Sequence, residues 1–236
     1  MCNMLNLISN FFPRPVPKNE LANVYVFNKI ENNEEDIKLL RNTFESLMCV
    51  VEEINVQNKT YAELKAYVKE IVKSDFKDFK YIVIIILDNE NEHEHIWITE
   101  DNKHFHLNGD LLAAIYANKS LEGKFRFFIL QTNRVPSENI IYRQKRTLCK
   151  PKFYSGKDLR YYATSSGCII EHEWKEGEPS PFIRLLCNGI DQNVRLPLAS
   201  QLHIVELLNT ISEQQPNECP SISSSLRQPY ILGNAR

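Results

Sequence analysis

Glycine is scarce: the chain has seven glycines in 236 residues, roughly half the usual share. None of them stands in a GxGxxG or GxxxxGK pattern, so a phosphate-cradling loop is excluded as the basis of function. Long apolar runs are absent too. The longest, Tyr81–Leu87, is far too short to span a bilayer. Cysteines occur at 2, 49, 149, 168, 187 and 219 with no CxxC pair, which excludes a ribbon-type zinc site and a thioredoxin-like motif. No excess of one charge exists either: 28 Lys+Arg face 30 Asp+Glu, so attraction to nucleic acid or to an anionic membrane is not expected. The first residues lack the basic flank and long apolar stretch of a secretory signal. The expected location is therefore the cytoplasm, with reduced thiols.

What is present is a chain of ordinary globular composition, 43% hydrophobic and 25% charged. Residues 1–21 read as a short tail containing Phe11-Phe12-Pro13-Arg14-Pro15-Val16-Pro17. A plain tail and a Pro-rich ligand for another module are both open readings. From residue 22 strands and helices alternate. Val24–Phe27 is a strand, and Ile37, Leu40, Phe44 and Leu47 recur at helical spacing over 34–48. Cys49–Ile54 is a second strand. Thr60 with Glu63 forms a capping box for the helix that follows. Tyr81–Leu87 and Phe125–Leu130 are apolar on both faces, as central strands covered by helices must be.

Between those strands the pattern predicts a hairpin, Ile96–Thr99 with His104–Leu107, turning at Asp101-Asn102, and a helix over Leu111–Ala117. That turn would set Trp97 opposite His106 and let His95 and His106 meet diagonally. Zinc held by His93, His95, His104 and His106 is one reading; solvated side chains on a hairpin edge is the other. Residues 132–157 show no period. Beyond them come a strand at Leu159–Ala163, helices at Phe182–Asn188 and Leu198–Ile211, a polar loop at 212–225 and a last strand at Tyr230–Leu232. Such alternation makes a mostly parallel, doubly wound sheet. Its ligand site lies beyond the carboxyl ends of the central strands, after Leu87 and Leu130.

There stand Leu87-Asp88-Asn89-Glu90 and Leu130-Gln131-Thr132-Asn133-Arg134-Val135, followed by Tyr162–Gly167 and Phe182–Cys187. With Val24–Asn28, Asp36, Leu40 and Phe44 before them and Arg227-Gln228-Pro229 after, this ordered set resembles the caspase protease domain over roughly residues 22–232. The resemblance implies a caspase-like α/β fold: a six-stranded, mostly parallel sheet flanked by about five helices, plus a small surface hairpin. It divides 22–236 into a large-subunit-like part (22–134), an intersubunit-like loop (135–157) and a small-subunit-like part (158–236).

Caspases use a cysteine thiolate as nucleophile and a histidine to move protons. By resemblance the cysteine position holds Asn133 and the histidine position Asn89, and an amide supplies neither function. Glu90 replaces a glycine where the family gathers donors for an oxyanion. Of the residues that grip a substrate aspartate, Gln131 remains. One arginine position holds His172, and the loop carrying the other is shortened to Lys29–Glu35. Asp88, Glu90, Glu92 and Glu94 would crowd the mouth with negative charge. Cys149 and Cys168 read as loop or core thiols, without a nearby base to activate them.

The loop 135–157 carries Arg143, Lys145, Arg146, Lys150, Lys152 and Lys157 against Glu138 alone, and it has no aspartate. The cleavage that matures active caspases should therefore spare it. A basic loop folded over the acidic mouth is one reading, a solvated loop the other. The resemblance thus implies a non-catalytic homologue, without cofactor or metal, that regulates an active caspase in apoptosis as activator or decoy. It would heterodimerise through a C-terminal edge strand, Gln228, Pro229, Tyr230, Ile231 and Leu232, a short edge that makes the homodimer weak. The alternative is a peptide-binding receptor that keeps the cleft without the chemistry.

Overall fold

The computed structural model describes residues 21–88, 96–132, 158–163, 179–214, 221–227 and 229–233. Its sheet has six strands. In chain order they are β1 (Ala22–Asn28), β2 (Cys49–Asn55), β3 (Tyr81–Asp88), β6 (Phe125–Thr132), β7 (Asp158–Ala163) and β8 (Ser221–Ser224); β4 (Ile96–Ile98) and β5 (His104–His106) form a separate hairpin. The spatial order is β2-β1-β3-β6-β7-β8, parallel throughout except that β8 runs antiparallel to β7. The expected six-stranded, mostly parallel sheet with a small separate hairpin is the one observed.

Alternation along the central strands sorts side chains to two cores. Val24, Val26, Val83, Ile85, Leu87, Phe127 and Ile129 face α1 (Glu34–Ser46), α4 (Pro181–Arg195) and α5 (Ile204–Glu213). Tyr25, Phe27, Ile82, Ile84, Ile86, Phe128 and Leu130 face α2 (Tyr61–Lys73) and α3 (Ala113–Tyr116) together with the hairpin's Trp97 and Phe105. Both β1 and β3 are buried at every position, which is why Tyr81–Leu87 reads as apolar on both faces. Thr60 caps α2 as expected: its Oγ1 accepts from the Glu63 amide at 3.3 Å, and its own amide donates to the Glu63 carboxylate at 2.8 Å. Such a cap is worth about 1 kcal/mol.

Three expectations change. The hairpin turns through three residues, Glu100-Asp101-Asn102, with Asn102 at φ 53° and the Thr99 amide donating to the Lys103 carbonyl. One added turn residue shifts the register, so Trp97 opposes Phe105 and Ile96 opposes His106. The stacked Trp97–Phe105 pair is buried while His104 and His106 stay exposed. The short helix at 111–117 is the end of a longer stretch, a π-helical turn over Leu107–Leu112 running into α3.

The third change concerns the end of the chain. The sixth strand is Ser221–Ser224, inside the stretch expected to be a polar loop. Tyr230–Leu232 is not a strand. The Tyr230 ring packs 4.1 Å from Phe125 and 5.9 Å from Tyr81, its carbonyl accepts the Ile204 amide at 2.7 Å, and Leu232 is buried in the core beneath α1, α4 and α5. The apolar pattern there reflects burial of an irregular strap across the amino ends of the strands.

Helices α4 and α5 are in close contact at Gly189. A Cβ at this position would lie 2.5 and 2.7 Å from Cδ1 and Cγ1 of the buried Ile211. Overpacking of this kind costs about 1–3 kcal/mol. Gly189→Val should lower the urea midpoint accordingly with the m-value unchanged; an unchanged midpoint would mean that the two helices separate freely.

Candidate functional site

The carboxyl ends of β1, β3 and β6 lie side by side, with Asn28 level with Leu87, Leu87 with Gln131 and Asp88 with Thr132. Asn28 organises the connection to α1. Its Oδ1 accepts from the Ile30 amide (3.1 Å) and from Asn33 Nδ2 (3.3 Å), and its Nδ2 donates to Glu53 (3.2 Å). Asn32, at φ 52°, lets the chain turn within five residues. The shortened loop of the sequence reading is therefore a folded turn with its own side-chain bonds.

Asp88 departs from expectation. Its side chain is 1% exposed and lies 3.7 Å from Lys29 Nζ, while the Lys29 amide donates to the Leu87 carbonyl. Asp88 is thus tucked in and paired instead of adding free negative charge to the mouth. Lys29 was not singled out from sequence; its place directly after β1, opposite an acidic β3 end, was the available signal.

Gln131, expected from the resemblance to belong to a pocket, is buried. Its Oε1 accepts from Ser180 Oγ at 3.3 Å; that hydroxyl also receives the Ile183 amide, capping α4 with Pro181 as the first helical residue. The Ser180 amide donates to Asp36 Oδ1 on α1 at 2.6 Å. One serine therefore ties β6, α1 and α4 together at the floor of the site. Burial pushes the Asp36 carboxyl up to about 6, with the Ser180 hydrogen bonds pulling it partly back. The Ser-Pro start of α4 was readable as a cap; the contact to Asp36, 144 residues away, was not.

Asn89, Asn133, His172, His93, His95, Glu90, Glu92, Glu94, Cys149, Cys168 and the basic loop 135–157 lie outside the described residues. Among the described residues no group of three or more His, Cys, Asp or Glu is placed to hold a metal, and no helix is long and apolar enough to cross a membrane. The described thiols are buried, and burial pushes Cys187 up to about 12, the behaviour of core thiols rather than nucleophiles.

A parallel sheet with an antiparallel edge, two helical layers and a site at paired strand ends defines a doubly wound α/β domain. Residues 22–231 match the model of the caspase domain family, and the chain belongs to that family. A solved structure described as pro-sf-caspase-1 superposes with a TM-score of 0.66 at 14% identity, covering 92% of this chain and 96% of the other; at that identity the likeness speaks for the fold. None of the curated proteins compared matches the chain.

Proposed function

We propose that this chain is a non-catalytic caspase-domain protein that acts by pairing with an active caspase along the edge of its sheet. The observation that carries this reading is the register at the site. Asp88 and Thr132 are paired neighbours at the ends of β3 and β6, and the residues that follow them are Asn89 and Asn133. The positions where the family keeps its histidine and cysteine thus hold two amides, neither of which attacks a carbonyl or takes up its proton. The short Asn28-centred turn, which carries Lys29 beside Asp88, stands where the resemblance puts an arginine-bearing loop, and it holds no arginine.

The proposed contact is β8. Among the described residues it is last in the sheet order and pairs with β7 alone, so its outer side is where we place the partner strand that continues the ladder. This moves the contact from residues 228–232, where Tyr230 and Leu232 pack into this chain's own core, to Ser221–Ser224. The test measures an active caspase of the same organism on a fluorogenic Asp-peptide, with and without equimolar protein. A change in rate that Ser224→Lys abolishes supports the reading, since Ser224 is exposed and an edge lysine blocks strand addition with little effect on stability. An unchanged rate across several caspases overturns it and favours the peptide receptor.

The same reading predicts failure of a simple repair. Asn133→Cys combined with Asn89→His should leave cleavage of the Asp-peptide at the level of the blank, because the nucleophile would return without the aspartate grip. Activity well above the blank would show that the pocket is intact.

A further inference from the structure

The surface hairpin presents two metal-ligand side chains next to each other. Strand β5 alternates exposed, buried, exposed. Phe105 turns inward onto Trp97, so His104 and His106, two residues apart, share the outer face. Their ring centroids are 6.3 Å apart, with the planes at 74°. Among the described residues neither imidazole is engaged in a hydrogen bond or ion pair; the bond at His106 is made by its backbone amide.

The backbone beneath the pair is fixed. Asp110 Oδ2 accepts the His106 amide at 2.8 Å. The Thr99 amide and hydroxyl both bond the Lys103 carbonyl, and the Lys103 amide donates back to the Thr99 hydroxyl. Charge does not oppose a cation here: Lys103 is paired with Asp101 at 2.8 Å and Lys65 with Asp110 at 3.1 Å. Ile98, across from His104 in the register, brings no competing hydrogen-bonding group. An imidazole nitrogen holds zinc at about 2 Å, so two rings sharing one ion can stand up to about 6 Å apart between centres. The observed 6.3 Å needs only a small rotation of two exposed side chains.

We propose that His104 and His106 together chelate a divalent transition-metal ion of the zinc type, with water in the remaining positions. Imidazole suits such ions. Two protein ligands are half of what a structural zinc site takes, so this is an exchangeable surface site, separate from the pairing edge at β8. The strand holds the second ring ready once the first is bound, which raises the affinity above that of a lone histidine.

The test adds Zn2+ to the full chain and reads acylation of each histidine by diethyl pyrocarbonate, peptide by peptide, in a mass spectrometer. Zinc should protect both His104 and His106, and a chelator should reverse the protection. In His104→Gln the zinc concentration that half-protects His106 should rise at least about tenfold, and in His106→Gln that for His104 likewise. Exposed strand positions accept glutamine with little effect on stability. His203, exposed and alone before α5, is the internal reference and should need at least about tenfold more zinc than the pair. The proposal is overturned if neither ring is protected, if His106 is protected equally well in His104→Gln, or if His203 is protected at the same zinc concentration. Each of those results means that the two rings do not act on one ion.

Discussion

Replacing Tyr230 and Leu232 together by alanine should remove a large part of the stability of the fold. Leu232 is 2% exposed and belongs to the larger core, the one covered by α1, α4 and α5. Truncating such a side chain costs about 2–5 kcal/mol. Tyr230 is half-buried but lies against both Tyr81 and Phe125, and its loss adds about 2 kcal/mol. The two sites share neighbours, so their costs will not add simply; a combined loss of about 4–6 kcal/mol compares with the 5–15 kcal/mol that holds a typical domain folded. Urea unfolding of the double variant measures it. A loss below about 1 kcal/mol would mean that residues 229–233 detach readily and are free to pair with a partner. The expected large loss has a practical consequence for the proposed contact. Removing everything from Gln228 onward would abolish regulation by unfolding the domain, so only a substitution such as Ser224→Lys speaks to the edge.

The central architecture was legible because burial on both faces leaves no polar option. β3 carries an unbroken apolar run from Tyr81 to Leu87, β1 and β6 carry shorter ones in Val24–Phe27 and Phe127–Leu130, and the capping box fixed the start of α2 from two residues. The ends of the chain misled for a physical reason. Ser-Ile-Ser-Ser holds one apolar side chain and little intrinsic strand preference, and β7 templates it into the sheet. Tyr-Ile-Leu has the composition of a strand yet pairs with no strand among the described residues, because Tyr230 and Leu232 pack into the amino end of the core. In the hairpin a single extra turn residue reversed which side chains face inward. At the site, Asn89, Asn133 and Gln131 were visible only through resemblance, since nothing in an isolated amide announces a lost nucleophile. The link among Asp36, Ser180 and Gln131 spans the whole domain, and no local pattern encodes it.

Asp36 should make this fold gain stability on mild acidification, against the usual direction for carboxylates. Its folded value is about 6 against an ordinary 3.8. Between those limits the folded state binds the proton more readily than the unfolded chain, so this group's contribution is fully present below about pH 4 and is lost as pH rises through 6. At 1.36 kcal/mol per pH unit the total reaches about 3 kcal/mol. Asp101 and Glu63 pull the other way. Hydrogen bonds from Lys103, Thr99 and Tyr61 hold the first below its ordinary range, and those from Thr60 hold the second there, so their contributions vanish only at lower pH. Asp191, raised by burial on α4, shares the direction of Asp36, which makes a difference measurement necessary. Asp36→Asn keeps an acceptor for the Ser180 amide and removes the titration. Unfolding free energies of both proteins from pH 7 to pH 4 should diverge in favour of the wild type by up to about 3 kcal/mol. Parallel curves would show that Asp36 titrates as an ordinary carboxylate and that water reaches it. Divergence would mean that the chain tolerates a costly ionised carboxylate at neutral pH, and the return for that cost is visible in the geometry. A charged acceptor holds the first turn of α4 more firmly than a neutral one, and through Ser180 it holds Gln131 at the floor of the site.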